Sequence, residues 1–278
     1  MSDPTTPPSD LLTLQEAADE LGVHYMTAYR YVRLGMLPAT KQGRSWVVRS
    51  DDLAAFQSGA AEGTERGEAP WDERLYNRML AADDSGAWKV VEAAMASGTS
   101  AEAVYTTMLV PVLRRIGEEW RAGDLDIARE HAASRVAERL IARMGPLVNP
   151  RGLRRGTVVI GSTASELHDM PLAIAADLFR AAHFNVVNLG ANLPPESFAK
   201  IVAGTDDVVA IAVGVTMVDQ DDQVAHTIEA LKSASDAPIL VGGSGIDTER
   251  AVQLGATASS PTAEEAIAML NGLLDSAS

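Results

Sequence analysis

Residues 157–190 read TVVIGSTASELHDMPLAIAADLFRAAHFNVVNLG, and this stretch decides the fold of the chain's C-terminal half. It opens on Val158-Val159-Ile160, an apolar β-branched run bounded by Gly156 and Gly161, which is the pattern of a buried strand. A polar loop from Ser162 to Asp169 follows and carries the pair Glu166-x-His168. Leu172, Ala175, Ala176, Leu178 and Phe179 then recur at helical spacing, closed by small residues and His183. A second strand, Asn185 to Leu189, ends at Gly190. Strand, loop, helix, strand is a βαβ unit, and such units bind ligands beyond the carboxyl ends of their strands. His168 stands at that position.

Glu166-x-His168-x-x resembles the start of the (Asp/Glu)-x-His-x-x-Gly signature of cobalamin-binding Rossmann-like domains. The resemblance implies that His168 replaces the cofactor's own base as lower axial ligand to cobalt, a task that needs a neutral imidazole nitrogen. It also implies Glu166 as the carboxylate on the other ring nitrogen, fixing the tautomer and raising basicity. Pro171 takes the place of the signature's glycine, and proline suits the first turn of a helix. Val208 to Val215 is a continuous apolar run typical of a central parallel strand. The family places Ser-x-Leu at its end, where the hydroxyl meets the buried benzimidazole tail; the nearest match here is Gly214-x-Thr216. A further strand, Ala237 to Val241, ends in Gly242-Gly243, matching the glycine pair that lets the tail pass close to backbone. Asn192-Leu193-Pro194 and Gly255-Ala256 fall at expected strand-to-helix turns, and residues 261–276 read as the closing helix. Residues 152–278 are thus expected to form an α/β Rossmann-like, flavodoxin-like parallel-sheet domain with Glu166, His168, Thr216, Gly242 and Gly243 at a cofactor.

Upstream, the periodicity predicts helices over 71–82, 84–97, 100–121 and 126–145, with a bend at Pro111. Short connections make residues 71–148 a four-helix bundle. Trp120 is followed after nine residues by Glu130-His131, a spacing that resembles the motif of cobalamin-dependent photoreceptor repressors of carotenoid genes. That resemblance implies a bundle capping the upper face of adenosylcobalamin, with Trp120 beside the adenosyl group and Glu130 and His131 lining the same cavity. In that family a histidine directly follows the tryptophan and binds cobalt after photolysis. Here the position is Arg121, and an always-charged guanidinium cannot ligate a metal. Either His131 or water takes the upper face, or light is not the signal. A related set of photoreceptors also holds a bilin; with no Cys in the chain, any bilin here is non-covalent.

Residues 1–10, rich in Pro, Ser and Thr, read as disordered. Thr13 and Glu16 form a capping box for a helix through Leu21, Gly22 turns the chain, and a second helical segment starts at Val23. Lys41 to Arg49 reads as a hairpin with a Gly43-Arg44 tip, and Ser50 caps a last helix. Residues 11–57 resemble the winged helix-turn-helix of the MerR and excisionase type. The resemblance implies a second helix in the major groove of double-stranded promoter DNA, with Tyr25, Thr27, Tyr29, Arg30 and Arg33 as its contacts and Lys41, Arg44 and Trp46 on the wing. Helical spacing cannot expose Tyr25, Tyr29 and Tyr31 together, and Val32 and Tyr29 read as the buried positions. With so few basic residues one copy binds weakly, so function calls for a homo-oligomer, dimer or tetramer, on paired half-sites. Residues 58–70, Gly, Ala, Glu and Pro without periodicity, read as a linker.

Composition excludes several classes. A formal charge of −15 argues against indiscriminate coating of nucleic acid. There is no apolar run long enough to span a membrane and no signal peptide at MSDPTTPPSD, so cytoplasm is the expected compartment. The absence of Cys removes disulfides and thiolate metal sites. No Walker loop, Ser-His-Asp arrangement or redox dithiol is present, so the chain reads as a regulator rather than an enzyme. Two rivals stay open: a corrinoid methyl carrier serving a methyltransferase, and a sensor of some other ligand.

Overall fold

A computed structural model describes residues 11–21, 23–33, 37–43, 45–57 and 71–276; the expected tail at 1–10, the linker at 58–70 and the wing residue Arg44 lie outside the described residues. The chain divides into two compact units, one of Met1–Trp71 with Val90–Gly98, the other of Asp72–Lys89 with Thr99–Ser278.

In the first unit β1 (Leu11–Thr13) leads into α1 (Leu14–Glu20), α2 (Tyr25–Arg33), β2 (Thr40–Gln42), β3 (Ser45–Arg49) and α3 (Ser50–Gln57). Thr13 caps α1 as expected: its hydroxyl accepts from the Glu16 amide while the Glu16 carboxylate accepts from the Thr13 amide at 2.7 Å. The hairpin pairs Lys41 with Trp46, and β1 adds antiparallel to β3, giving the order β1-β3-β2. Sequence reading passed over β1, because three residues carry no periodicity and only pairing with β3 makes them a strand. Leu14, Ala17, Ala18, Ala28, Val32, Leu37, Val48 and Leu53 form the core. Trp46 lies on the hairpin, half-buried, with part of its indole packed against that core. Tyr29 and Tyr31 are half-buried, while Tyr25 and Met26 stay exposed at the start of α2.

The expected helices of the middle region occur as α4 (Trp71–Leu80), α5 (Asp84–Ala96), a helix running from α6 (Ala101–Ala103) through a π-helical stretch (Val104–Leu109) into α7 (Val110–Ala122), and α8 (Ile127–Val148). Pro111 does not simply bend its helix. It lacks the amide that would bond the carbonyl of residue 107, and the Val110 amide bonds Tyr105 instead, five residues back. α7 closes on Gly123 in the left-handed conformation, and Asp126 caps α8.

The α/β region runs β4 (Thr157–Ser162), α9 (Met170–Ala181), β5 (Asn185–Asn188), α10 (Pro195–Ala203), β6 (Val208–Gly214), α11 (Asp221–Ala234), β7 (Ile239–Gly242), α12 (Thr248–Gln253), β8 (Ala258–Ser260) and α13 (Ala263–Ser276). All neighbouring strands are parallel, in the order β5-β4-β6-β7-β8. Alternation along the strands feeds two cores. Val159, Ile211 and Val213 face Phe198 and Ile228, whereas Val158, Ile160 and Ala212 face Leu172, Ala176, Phe179 and Leu270. Pro171 sits in the first turn of α9, as expected. Asn192-Leu193-Pro194 is a strand-to-helix turn, but Gly255-Ala256 joins α12 to β8 and is therefore a helix-to-strand turn. The strand order reverses between β5-β4 and β6, so the crevice of a doubly wound sheet opens at the carboxyl ends of β4 and β6.

Candidate functional site

The loop after β4 delivers Glu166 and His168 to that crevice, and the chain beyond β6 delivers Thr216 and Met217. The two meet at one carboxylate. Glu166 Oε1 accepts from the His168 amide at 3.0 Å and lies 2.6 Å from His168 Nδ1; Oε2 accepts from the amides of Thr216 at 2.6 Å and Met217 at 2.9 Å. Glu166 is 1% exposed. Burial on its own would push this carboxyl up. The amide of His168, the amide of Thr216, the His168 ring and the amide of Met217 outweigh it together and hold the group at about 2. An ionised Glu166 accepts the Nδ1 proton, which leaves the lone pair on Nε2 of a side chain that is more than half exposed. A third loop braces the first: Asn192 Oδ1 accepts from the Ser165 amide at 2.9 Å, and the Asn192 amide donates to Ser162 Oγ at 3.1 Å.

The structure brings Glu166, His168 and Thr216 together. The Thr216 hydroxyl lies 2.9 Å from His168 Nδ1, where it can share the ring proton with Glu166. Thr216→Val keeps the amide bond to Glu166 and removes only that second acceptor. The expected result is a loss of about 1 kcal/mol, or about fivefold, in ligand retention, measured by equilibrium dialysis. Gly242 and Gly243 have a reason internal to the protein. Gly243 has φ +125°, and a Cβ there would sit 2.1 Å from the Val215 carbonyl; one on Gly242 would sit 2.9 Å from that of Ser260. Gly243 lets the loop after β7 lie directly on the segment after β6 that holds Glu166, while Gly242 lets β7 pass close to the end of β8.

Trp120, on the last turn of α7, is 44% exposed. Glu130 lies in the first turn of α8 and His131 directly after it; Glu130 accepts from Ser134 at 2.7 Å and His131 Nε2 stands 3.6 Å from Glu130 Oε2. In the first unit Thr27 is half-buried and Lys41 exposed; Arg30 and Arg33 lie on α2, with side chains outside the described residues. The sequence does not point to the amide of Met217, nor to the exposed apolar side chains of Leu167, next to His168 in the chain, and of Met217 and Val218 beyond β6. Only the folded loops make them neighbours of the site.

The site's chemistry is specific. Among the described residues no cluster of three or more His, Asp or Glu could hold a metal ion. One oriented imidazole suits a metal whose equatorial positions a macrocycle already fills, and exposed Leu167, Met217 and Val218 suit a broad apolar ligand. Thr163 Oγ1 and Gln220 Oε1, on the loops after β4 and β6, are buried without a protein partner, as groups awaiting a polar ligand atom would be. The residues fit a corrinoid.

A family model described as B12 binding domain matches residues 71–144, and a second one of that description matches residues 156–271. The chain carries a B12 binding domain pair. A helix-turn-helix domain model matches residues 11–60. A trimethylamine corrinoid protein of Methanosarcina barkeri is 26% identical over 199 residues, covering 69% of this chain and 91% of the relative. A corrinoid protein of Desulfitobacterium hafniense is 27% identical over 60% of this chain and 80% of its own length. The HTH-type transcriptional repressor CarH of Myxococcus xanthus is 26% identical over 70% of this chain and 64% of its own. In structure, the monomethylamine corrinoid protein of M. barkeri superposes with a TM-score of 0.63 at 17% identity, over 72% of this chain and 96% of its own; this likeness shows the shared fold of helices followed by a parallel sheet. No helix among the described residues is long and apolar enough to cross a membrane.

Proposed function

We propose that the protein is a cobalamin-dependent, DNA-binding transcriptional regulator acting in the cytoplasm as a homo-oligomer. The observation that carries this reading is the presence, on one chain, of a helix-turn-helix match at 11–60 and a B12 binding domain pair whose His168 is oriented by a buried carboxylate. His168 would hold the corrinoid through Nε2, Glu166 and Thr216 would fix the imidazole, and Gly242 and Gly243 would lie beside the nucleotide tail. Trp120, Glu130 and His131 would line the side of the cofactor away from His168. When bound, adenosylcobalamin would supply a light-sensitive cobalt–carbon bond as the source of the signal. Arg121 is exposed and charged, so it contributes a cation rather than a ligand to that side. A regulator must bind DNA unequally in its two states, and the oligomer is where a weakly basic reader gains that affinity.

The experiment is an absorption spectrum after mixing with adenosylcobalamin in the dark, desalting and illumination with green light, followed by a promoter-DNA shift on both samples. Retained corrin bands with light-dependent DNA release support the full reading. Retained bands without any DNA shift favour the second reading, a corrinoid methyl carrier, to which the 91% coverage of the trimethylamine corrinoid protein points. No retained corrin removes both. Arg30→Ala is expected to weaken DNA binding about tenfold or more, the usual cost of losing a base-reading arginine, while corrin bands stay unchanged.

A further inference from the structure

Tyr105 and Asp177 are buried titratable partners that the cofactor site does not use. Tyr105 lies in the π-helical stretch and is fully buried; its hydroxyl donates to Asp177 Oδ2 at 2.6 Å, with the Ile141 carbonyl 3.3 Å away. Asp177, on α9 and 6% exposed, also accepts from Arg180 at 2.8 Å. The bundle reaches it from a second side, since a Cβ on Gly145 of α8 would stand 3.1 Å from Asp177 Oδ2. Burial first, and then the carboxylate, push the Tyr105 hydroxyl well above its ordinary value, so it remains a donor throughout the working pH range.

The position of the pair gives it a consequence. α9 starts two residues after His168, and Asp177 lies about 10 Å along it at 1.5 Å per residue. The helix that holds Tyr105 continues to Ala122 and carries Trp120 about 22 Å further on. The register of that helix is set where Pro111 forces the π-helical stretch, which is also where Tyr105 turns into the contact. One helix therefore runs from His168 to Asp177, one bond crosses to Tyr105, and one helix runs on to Trp120.

We propose that Tyr105 and Asp177 are a positioning pair that transmits a displacement of the His168 loop and α9 to the helix ending at Trp120. This rests on the cobalamin reading above, because it needs a ligand that pulls on His168.

The test is amide hydrogen exchange of the full chain, with and without adenosylcobalamin in the dark, for the wild type, Tyr105→Phe and Asp177→Asn. Asparagine keeps an acceptor for the Tyr105 hydroxyl; phenylalanine removes the donor and keeps the ring. In the wild type the cofactor is expected to slow exchange both in α9 and over residues 104–122. In Tyr105→Phe the corrin bands and the slowing in α9 should persist, while the slowing over 104–122 drops by about tenfold, within the usual range for coupled sites. Asp177→Asn should retain it. Equal slowing over 104–122 in Tyr105→Phe and wild type overturns the pair's role while leaving cobalamin binding intact. So does exchange over 104–122 that is already fast in cofactor-free Tyr105→Phe, since that marks a purely structural bond. A wild type that retains no corrin overturns the cobalamin reading and the pair's role with it.

Discussion

Replacing His168 by alanine is expected to reduce retention of adenosylcobalamin on the order of a hundredfold and to return the bound fraction to the absorption spectrum of a cofactor without a protein imidazole on cobalt. Loss of a partner one shell further out already costs 10–100-fold at metal sites as a rough guide, and losing the coordinating nitrogen itself reaches at least the upper end. The fold should survive. His168 is more than half exposed, and three of the four bonds to Glu166 that anchor the loop come from backbone amides, which alanine keeps. Dialysis against labelled cofactor, with circular dichroism as the control for folding, measures both halves. A variant that retains cobalamin like the wild type with an unchanged spectrum rules His168 out as the lower ligand.

The second large effect belongs to Glu166. Its value in the folded protein, about 2, lies below the ordinary value of 4.5. Depression of this sign means that the stabilisation is complete above pH 4.5 and is lost as pH falls from there toward 2. The size of the shift corresponds to about 3 kcal/mol. Glu166→Gln removes the charge and leaves one carbonyl oxygen to face amide donors that used two, so at neutral pH the expected loss is also about 3 kcal/mol. Urea unfolding at a series of pH values separates the two statements. The wild type should lose stability between pH 4.5 and 2 by that amount more than the glutamine variant does, and the two curves should converge at the acid end. Parallel curves across that interval would show that Glu166 does not anchor the two loops. Retention of cobalamin should fall in the same variant by about 10–100-fold, because the His168 ring loses its ionised acceptor.

The helix-turn-helix, helical and α/β regions differ in how much of each is local along the chain. Thr13 and Glu16 satisfy each other within four residues, and helix capping of that kind is local, so the start of α1 was legible from sequence. β1 was not, because its strand character comes from β3, more than thirty residues later. Pro111 announced an irregular helix, but that the irregularity is a π-helical stretch with Tyr105 bonded to Asp177, 72 residues away, is seen only in the folded chain.

By itself the sequence determined the alternation of strand and helix beyond residue 156, because apolar runs and helical periodicity are properties of neighbours along the chain. It also placed Glu166 and His168 on a loop at a strand's carboxyl end, since the strand before and the helix after were both plain. Only the tertiary structure decided what that loop does. The parallel pairing of β4 with β6 sets the amides of Thr216 and Met217 against Glu166 Oε2. It also turns the Thr216 hydroxyl to the imidazole and makes Gly243 a contact between loops. These partners lie some fifty residues or more from Glu166, and backbone amides carry no side-chain signature. Their role exists only once the sheet has closed the distance.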